Sequence, residues 1–326
     1  MGTKDSKAKE YISDNARFAD LCNYVLYDGK GVIKPENLKE QDTTEVMSIF
    51  GIDQKTSTVQ KLRDVFKNVE IKYTDSMYIV LIGVENQSNI HYAMPVKNMI
   101  YDALAYGKQV NAAKKIHDTQ KDYNSSDEFL SGFAKTDELT PVITITLYLG
   151  SKPWDGPRKL TDMMKSADDK LLQFVPDYNI NLIDPSEITD FTKFKTQLRQ
   201  LFEVLHNAYD KDKLWDVMQS DENFKRLDRE TVEIINEFAG TDIKMSRKDE
   251  VIDMCKAWND MILDGKREGI REGKREGIRE GQNNMLYSLV QDGSLDIEIA
   301  AKKINMTVDE FKKSMEAANY KVPELV

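Results

Sequence analysis

Apolar positions recur with two different periods along this chain of 326 residues. Near the N-terminus the period is helical. Phe18, Leu21, Cys22, Val25 and Leu26 fall at i, i+3, i+4, i+7 and i+8, which predicts one apolar face on a helix over 7–27. The Asp28-Gly29 pair that follows is a stop signal. Residues 31–60 show no sustained period and are assigned to no element. From 62 to 86 the pattern becomes that of a β-hairpin, with LRDVFKNVEIKY running up to Thr74-Asp75 and SMYIVLIGVENQ running back. The returning strand is almost wholly apolar, as expected of a central strand covered on both faces. MPVKNMIYDALAYGKQVNAAKKI then predicts a helix. Pro95 suits its first turn, and Val96, Met99, Ile100, Ala103 and Leu104 keep helical spacing. YNSSDEFLSGFAKTDEL reads as a loop, PVITITLYLG (141–150) as another apolar strand, and VPDYNINLID (175–184) as one more short strand.

Beyond that point strand signals stop. Leu198, Leu201, Phe202 and Leu205 open a helical region that runs to about Asp264. A repeat follows, GKREGIREGKREGIREG at 265–281, with glycine at every fourth position. Each such glycine costs an isolated helix about 1 kcal/mol relative to alanine. Two readings stand side by side. One is self-association through the groove that glycines at i and i+4 leave for a second helix; the other is a solvated spacer. Glu268 and Arg271, with their repeats, form i,i+3 pairs and exclude a bilayer. In the tail, LDIEIAAKKINMTVDEFKKSM reads as helix, turn, helix, with Ala300, Ala301 and Ile304 inward and Thr307 as an N-cap. Strands mixed with helices followed by helices alone suggest separate parts. The expected division is a mixed α/β core at 1–185, a helical extension at 186–264, the repeat helix at 265–282 and the tail at 283–326.

Composition narrows the function classes. A net charge of −10 with 31% charged residues predicts a soluble chain and opposes broad attraction to nucleic acid, so any phosphate contacts are expected to be few and local. Cys22 and Cys255 lie far apart and form no disulfide framework, which suits a reducing compartment. His91, His117 and His206 are not spaced as zinc ligands. No run is long and apolar enough to span a membrane, and the first ten residues lack the apolar core of a signal peptide. A cytosolic protein with no membrane partner is expected.

The hairpin also places chemistry. With Thr74-Asp75 at the turn, counting back along both strands brings Asp64 opposite Glu85, their Cβ atoms roughly 5 Å apart on one face. Like charges so placed destabilise a hairpin, and a divalent cation compensates them. Gln87 returns to the same face two residues on. Asp64, Glu85 and the backbone carbonyl of Asn86 make an all-oxygen set suited to Mg²⁺ or Mn²⁺. Taken singly, each carboxylate has a plainer role, a hairpin-edge charge for Asp64 and a turn cap for Glu85. The nearby Glu70-Ile71-Lys72 is a decoy: Glu70 is six residues from Asp64 on one strand, roughly 20 Å away. Glu70 and Lys72 are expected to be solvated.

FADLCNYVLYDGKGVIKPENL, RDV at 63–65, VENQS at 84–88 and YAMPVKNMIYDALAY at 92–106 resemble the recombination-promoting nuclease (Rpn) family, also labelled PD-(D/E)XK nuclease family transposases. PVITITLYLGSKPWDGPRKLTDM, FVPDYNINLID, the Gly-Arg-Glu repeat and the tail extend the likeness over nearly the whole chain. The resemblance implies an α/β restriction-endonuclease-like (PD-(D/E)XK) core, a central mixed sheet flanked by helices, at 1–185. It implies a metal-dependent DNA endonuclease, linked to recombination or mobile DNA, with Mg²⁺ or Mn²⁺ as cofactor and DNA as partner. The family's Asp matches Asp64, and its Glu-x-Gln matches Glu85 and Gln87. Gln87 stands where the wider superfamily usually has lysine, and a glutamine lends no positive charge. Related cores sometimes recruit a further metal contact from the first helix, here Asp20 or Asn23. Tyr101, Tyr106, Lys97 and Lys108 lie on the helix after the strand, with Tyr101 expected in the core. Trp154 is expected to be a buried residue of a turn. A non-catalytic protein that binds DNA or itself through the repeat and tail is the alternative.

Overall fold

An aspartate breaks the N-terminal helix in two. In the computed structural model, which describes residues 3–41, 44–48, 58–62, 64–73, 76–165, 169–246 and 250–323, the single helix expected over 7–27 is α1 (Thr3–Ser13) and α2 (Asn15–Tyr27). Asp14 lies between them, and its carboxylate accepts the N–H groups of Ala16 and Arg17, capping a new helix. Asp28, at φ 55°, ends α2 where the stop signal lies. The break is held from below by Lys67, a fully buried lysine. Its Nζ donates to the Ser13 carbonyl at 2.6 Å and to Asn15 Oδ1 at 2.5 Å. This puts a cation at the negative end of the α1 dipole.

The stretch 31–60 supplies three short strands that no periodicity announces: β1 (Leu38–Glu40), β2 (Thr44–Ser48) and β3 (Thr58–Leu62). β2 and β3 pair with each other, whereas β1 joins the main sheet. β4 (Val65–Tyr73) and β5 (Ser76–Gln87) form the expected hairpin. Its register runs from Tyr73 opposite Ser76 to Val65 opposite Val84, as the sequence predicts; Thr74 and Asp75 lie outside the described residues. α3 (Met94–Gln120) follows, with Pro95 in its first turn. A short helix, α4 (Ser126–Ser131), interrupts the stretch read as loop because Ser125 accepts the N–H of Glu128 and caps it. β6 (Val142–Tyr148) and β7 (Asn181–Ile183) complete a five-stranded sheet of order β1-β4-β5-β6-β7. β1, β4 and β5 are antiparallel; β6 and β7 run parallel to β5.

Of the five apolar positions with helical spacing on α3, only Leu104 is buried. Asn98, Tyr101, Asp102 and Ala105 are buried, while Ala103 is exposed and Val96, Met99 and Ile100 are only half-buried. The strand beneath is polar there. Asn98 Nδ2 donates to Thr146 Oγ1 at 2.8 Å, and Thr144 Oγ1 donates to Asp102 at 2.6 Å. Phe66, Ala105 and Val142 pack together further along.

A short α5 (Asp169–Leu172) precedes β7, and after β7 the chain is largely helical: α6 (Leu198–His206), α7 (Lys211–Ser220) and α8 (Arg229–Ala239). One small ladder, β8 (Leu227–Asp228) with β9 (Val251–Ile252), departs from the expected absence of strands here. These helices share a compact unit, residues 1–257, with the sheet. α8 fastens α1, through Tyr11 Oη to Thr231 Oγ1 at 2.9 Å and Lys7 to Glu237 at 2.6 Å. Arg17, just beyond, bridges Asp228 and Glu230. Asp20, buried in α2, accepts the N–H groups of Lys195 and Thr196 and the Thr196 hydroxyl. Asn23 clasps the Ile33 backbone at both N–H and carbonyl. Both side chains act as structural fasteners.

The second unit spans 258–326. α9 (Met254–Gln291) crosses the division and carries the whole Gly-Arg-Glu repeat as helix, its residues exposed on every side from 262 to 282. Arg271 meets Glu268 at 3.1 Å in the expected i,i+3 geometry. A Cβ added at any of the five repeat glycines would meet open space. The tail forms α10 (Ile297–Lys303) and α11 (Val308–Ala317), the latter opened by a Thr307–Glu310 capping box. A third partner comes from α9: Tyr287 and Val290 pack with Ala300, Ala301, Phe311 and Met315. Among the described residues no helix is long and apolar enough to cross a membrane.

Replacing Asp20 with alanine strips three donors of a buried acceptor. The expected cost is about 2–3 kcal/mol, read as a lower denaturation midpoint without change in slope.

Candidate active site

The sheet ends its parallel pair β5–β6 in a polar row. Glu85 stands in register with Thr146, and Gln87 with Tyr148. Alternation along β5 sends Glu85 and Gln87 to the α3 face and Asn86 to the other. Glu85 is only 2% exposed and Asp64 5%, so both carboxylates are inside the protein. Asp64 sits in the bend immediately before β4, one residue past the last ladder pair. It reaches across instead of pairing in the ladder, and Asn86 N–H donates to its Oδ2 at 2.8 Å. The structure thus brings Asp64 beside the Glu85–Asn86 peptide, as the hairpin register requires.

A cation meets them from α3. Lys97, in the first turns of that helix, places Nζ 3.0 Å from Glu85 Oε2. It also acts electrostatically on Asp64 and lies over the Tyr101 ring, 5.8 Å from its centroid. Lysine is absent at position 87, but a lysine charge is present at the site, carried by the neighbouring helix. Gln87 Nε2 donates to the Asn86 carbonyl at 2.9 Å. That carbonyl keeps a second lone pair.

Two further residues come from α1. Asp5 accepts the Ser88 N–H at 3.2 Å and acts on Asp64 with like charge, whereas Lys9 acts with opposite charge. Neither was singled out in the sequence, because nothing local marks α1 as a neighbour of β5. Asp64 is displaced above the usual carboxylate range. Burial is the leading cause, opposed by the Asn86 N–H and by Lys97 and Lys9 and reinforced by Asp5. The Asn86 amide, 2% exposed, hydrogen-bonds through neither polar atom among the described residues. Such a group costs stability and persists only where something else retains it.

The donor set fits a hard divalent ion: two buried carboxylates and a main-chain carbonyl, all oxygen. Among the described residues no group of three or more His, Cys, Asp or Glu side chains is arranged around a metal position. Glu70, expected to be solvated, is half-buried and pairs with Lys39 at 2.6 Å; the Lys72 side chain lies outside what is described. Tyr101 and Trp154 are buried as expected, the latter with its indole N–H on the Gly156 carbonyl. Tyr106 accepts the Val142 N–H, and Lys108 is exposed.

The family described as "Putative transposase, YhgA-like" matches residues 44–234. The chain belongs to this family. YhgA-like proteins are part of the PD-(D/E)XK nuclease and Rpn-like group, and membership points to nuclease-like work on mobile DNA. The matched stretch contains Asp64, Glu85, Gln87 and Lys97, and leaves out Asp5, Lys9 and the second unit. No curated protein and no solved structure matches the chain.

A carboxyl raised above its unfolded value is more easily protonated in the native state, so ionising it costs stability as pH rises through the raised value. Asp64→Asn removes that cost and keeps an oxygen for the Asn86 N–H. The variant should melt above wild type at pH 7, with the gap closing as pH falls to about 4 and below, the unfolded carboxylate range. Thermal denaturation across pH in EDTA reads this directly.

Proposed function

We propose that this YhgA-like protein is a metal-dependent DNA endonuclease built on a PD-(D/E)XK core, hydrolysing phosphodiester bonds at the end of β5. The observation that carries the reading is the convergence of Asp64, Glu85 and Lys97 on one buried point. Three antiparallel strands, β1-β4-β5, followed by a crossover helix into parallel β6 support the core assignment. Sites in sheets with parallel strands favour the carboxyl ends of those strands, where Glu85 and Gln87 lie.

Asp64, Glu85 and the Asn86 carbonyl would hold Mg²⁺ or Mn²⁺. A bound ion supplies Lewis acidity and a more acidic water. The chain's own residues do the rest. Asn86 N–H holds Asp64 Oδ2 and favours its charged form. Lys97 brings positive charge to where a phosphate would sit, the role that Gln87 cannot take. Gln87 orients water or a phosphate oxygen by hydrogen bonding only. The burial of both carboxylates keeps the local dielectric low, which strengthens each of these interactions. α11 opens on Asp309 and Glu310, whose charge opposes a phosphate backbone. DNA contact is therefore assigned to the first unit.

Supercoiled plasmid incubated with Mg²⁺, Mn²⁺, Ca²⁺ or EDTA tests the reading. Nicking or linearisation should require Mg²⁺ or Mn²⁺ and fall about a hundredfold or more in Glu85→Gln. Cleavage that survives EDTA, or that Glu85→Gln retains in full, would overturn it.

A further inference from the structure

Lys97 sits on the carboxylate that a divalent ion would also need. Glu85 Oε2 has the ammonium at 3.0 Å, and a ligating oxygen holds Mg²⁺ at about 2.1 Å. Two cations gathered on one buried carboxylate repel each other. The two partners differ in freedom. Glu85 is locked in the sheet at 2% exposure, whereas the Lys97 side chain is 21% exposed on a four-carbon stem that reaches solvent. Its position also has no helical explanation, because the first turns of a helix disfavour a cation. What Lys97 satisfies is Glu85.

We infer that Lys97 is a built-in counter-cation: it neutralises Glu85 in the empty site, gives up the carboxylate when a divalent cation binds, and passes its charge to a DNA phosphate. This rests on the reading of Asp64 and Glu85 as metal ligands. Metal affinity in the absence of DNA is then deliberately low, since every binding event must evict Lys97 into water. A phosphate that accepts the evicted ammonium lowers that cost, so metal and DNA raise each other's affinity by equal factors. A site so arranged stays poorly loaded away from DNA.

The experiment titrates Ca²⁺ into the purified full chain by calorimetry, comparing wild type, Lys97→Gln and Asp64→Asn, each with and without a short DNA duplex. Lys97→Gln should bind Ca²⁺ about tenfold tighter than wild type without DNA. It should also melt lower in EDTA, because Glu85 has lost its partner, and gain more on adding Ca²⁺. The duplex should tighten Ca²⁺ binding in wild type and much less in Lys97→Gln. Asp64→Asn should lose the Ca²⁺ heat. Equal Ca²⁺ affinity in wild type and Lys97→Gln, with Asp64→Asn abolishing it, would overturn the counter-cation and leave the metal site standing. No Ca²⁺ heat in any form would overturn both. A second readout needs no variant: Ca²⁺ alone should raise the acetylation rate of Lys97 in wild type several-fold, followed by peptide mass spectrometry. An unchanged rate would mean that Lys97 stays on Glu85, and the inference fails.

Discussion

A carboxylate sunk at the end of an apolar strand has to be answered by positive charge, and much of this architecture follows from how Glu85 is answered. The strand that carries it is central, with β4 on one side and β6 on the other. That centrality removes water from the Glu85 side chain and makes an unpaired charge there very costly. Lys97 can reach Oε2 only if α3 begins immediately above the strand end and lies flat on the sheet. The helix is held in that position by polar contacts, Asn98 to Thr146 and Asp102 to Thr144, together with the buried Met94, Tyr101, Leu104 and Ala105. Directional hydrogen bonds fix the rotation of α3 about its axis more tightly than apolar packing would. Rotation is what aims Lys97.

The hairpin was legible because its information is local. An uninterrupted apolar strand, a turn pair and strict alternation determine which residues face each other, and Val65 opposite Val84 follows by counting. The buried face of α3 was not legible, because its polar residues are paid for by threonines on a strand more than forty positions away. Apolar periodicity therefore pointed to Val96, Met99 and Ile100, which are only half-buried. The break at Asp14 left a local signal, an N-cap aspartate, that the apolar period masked. Asp5 and Lys9 left none: α1 is brought to β5 by fasteners such as Tyr11 to Thr231, more than two hundred residues apart.

The acidic composition and a DNA-directed site are compatible once charge is considered locally. A chain of net charge −10 is poorly attracted to DNA at long range, where screening acts as well. At the site the balance differs. Lys97 and Lys9 act on Asp64 against Asp5, Lys97 pairs with Glu85, and a divalent ion would turn the local sum positive. On the proposed reading, attraction to a phosphate would switch on with the metal and stay confined to the strand end. The second unit needs no part in this. Its repeat helix sets four arginines against four glutamates, with Arg271–Glu268 closed in place, and its two lysines leave a positive excess of only two charges.

The change from lysine to glutamine at position 87 moves a charge from a strand to a helix, and the difference is mechanical as well as chemical. A lysine at position 87 would share the rigidity of the strand, its stem rising from the sheet on the α3 face. A lysine on the first turns of α3 keeps a route to solvent while still reaching Glu85. The same ammonium can then serve two anions in succession, the buried carboxylate and an incoming phosphate. Gln87 fits this division of labour. A neutral amide beside Glu85 does not compete for the carboxylate, and by donating to the Asn86 carbonyl it orders the strand end without adding charge. Had position 87 been lysine as well, two ammonium groups would crowd one buried carboxylate, and a divalent ion would face both.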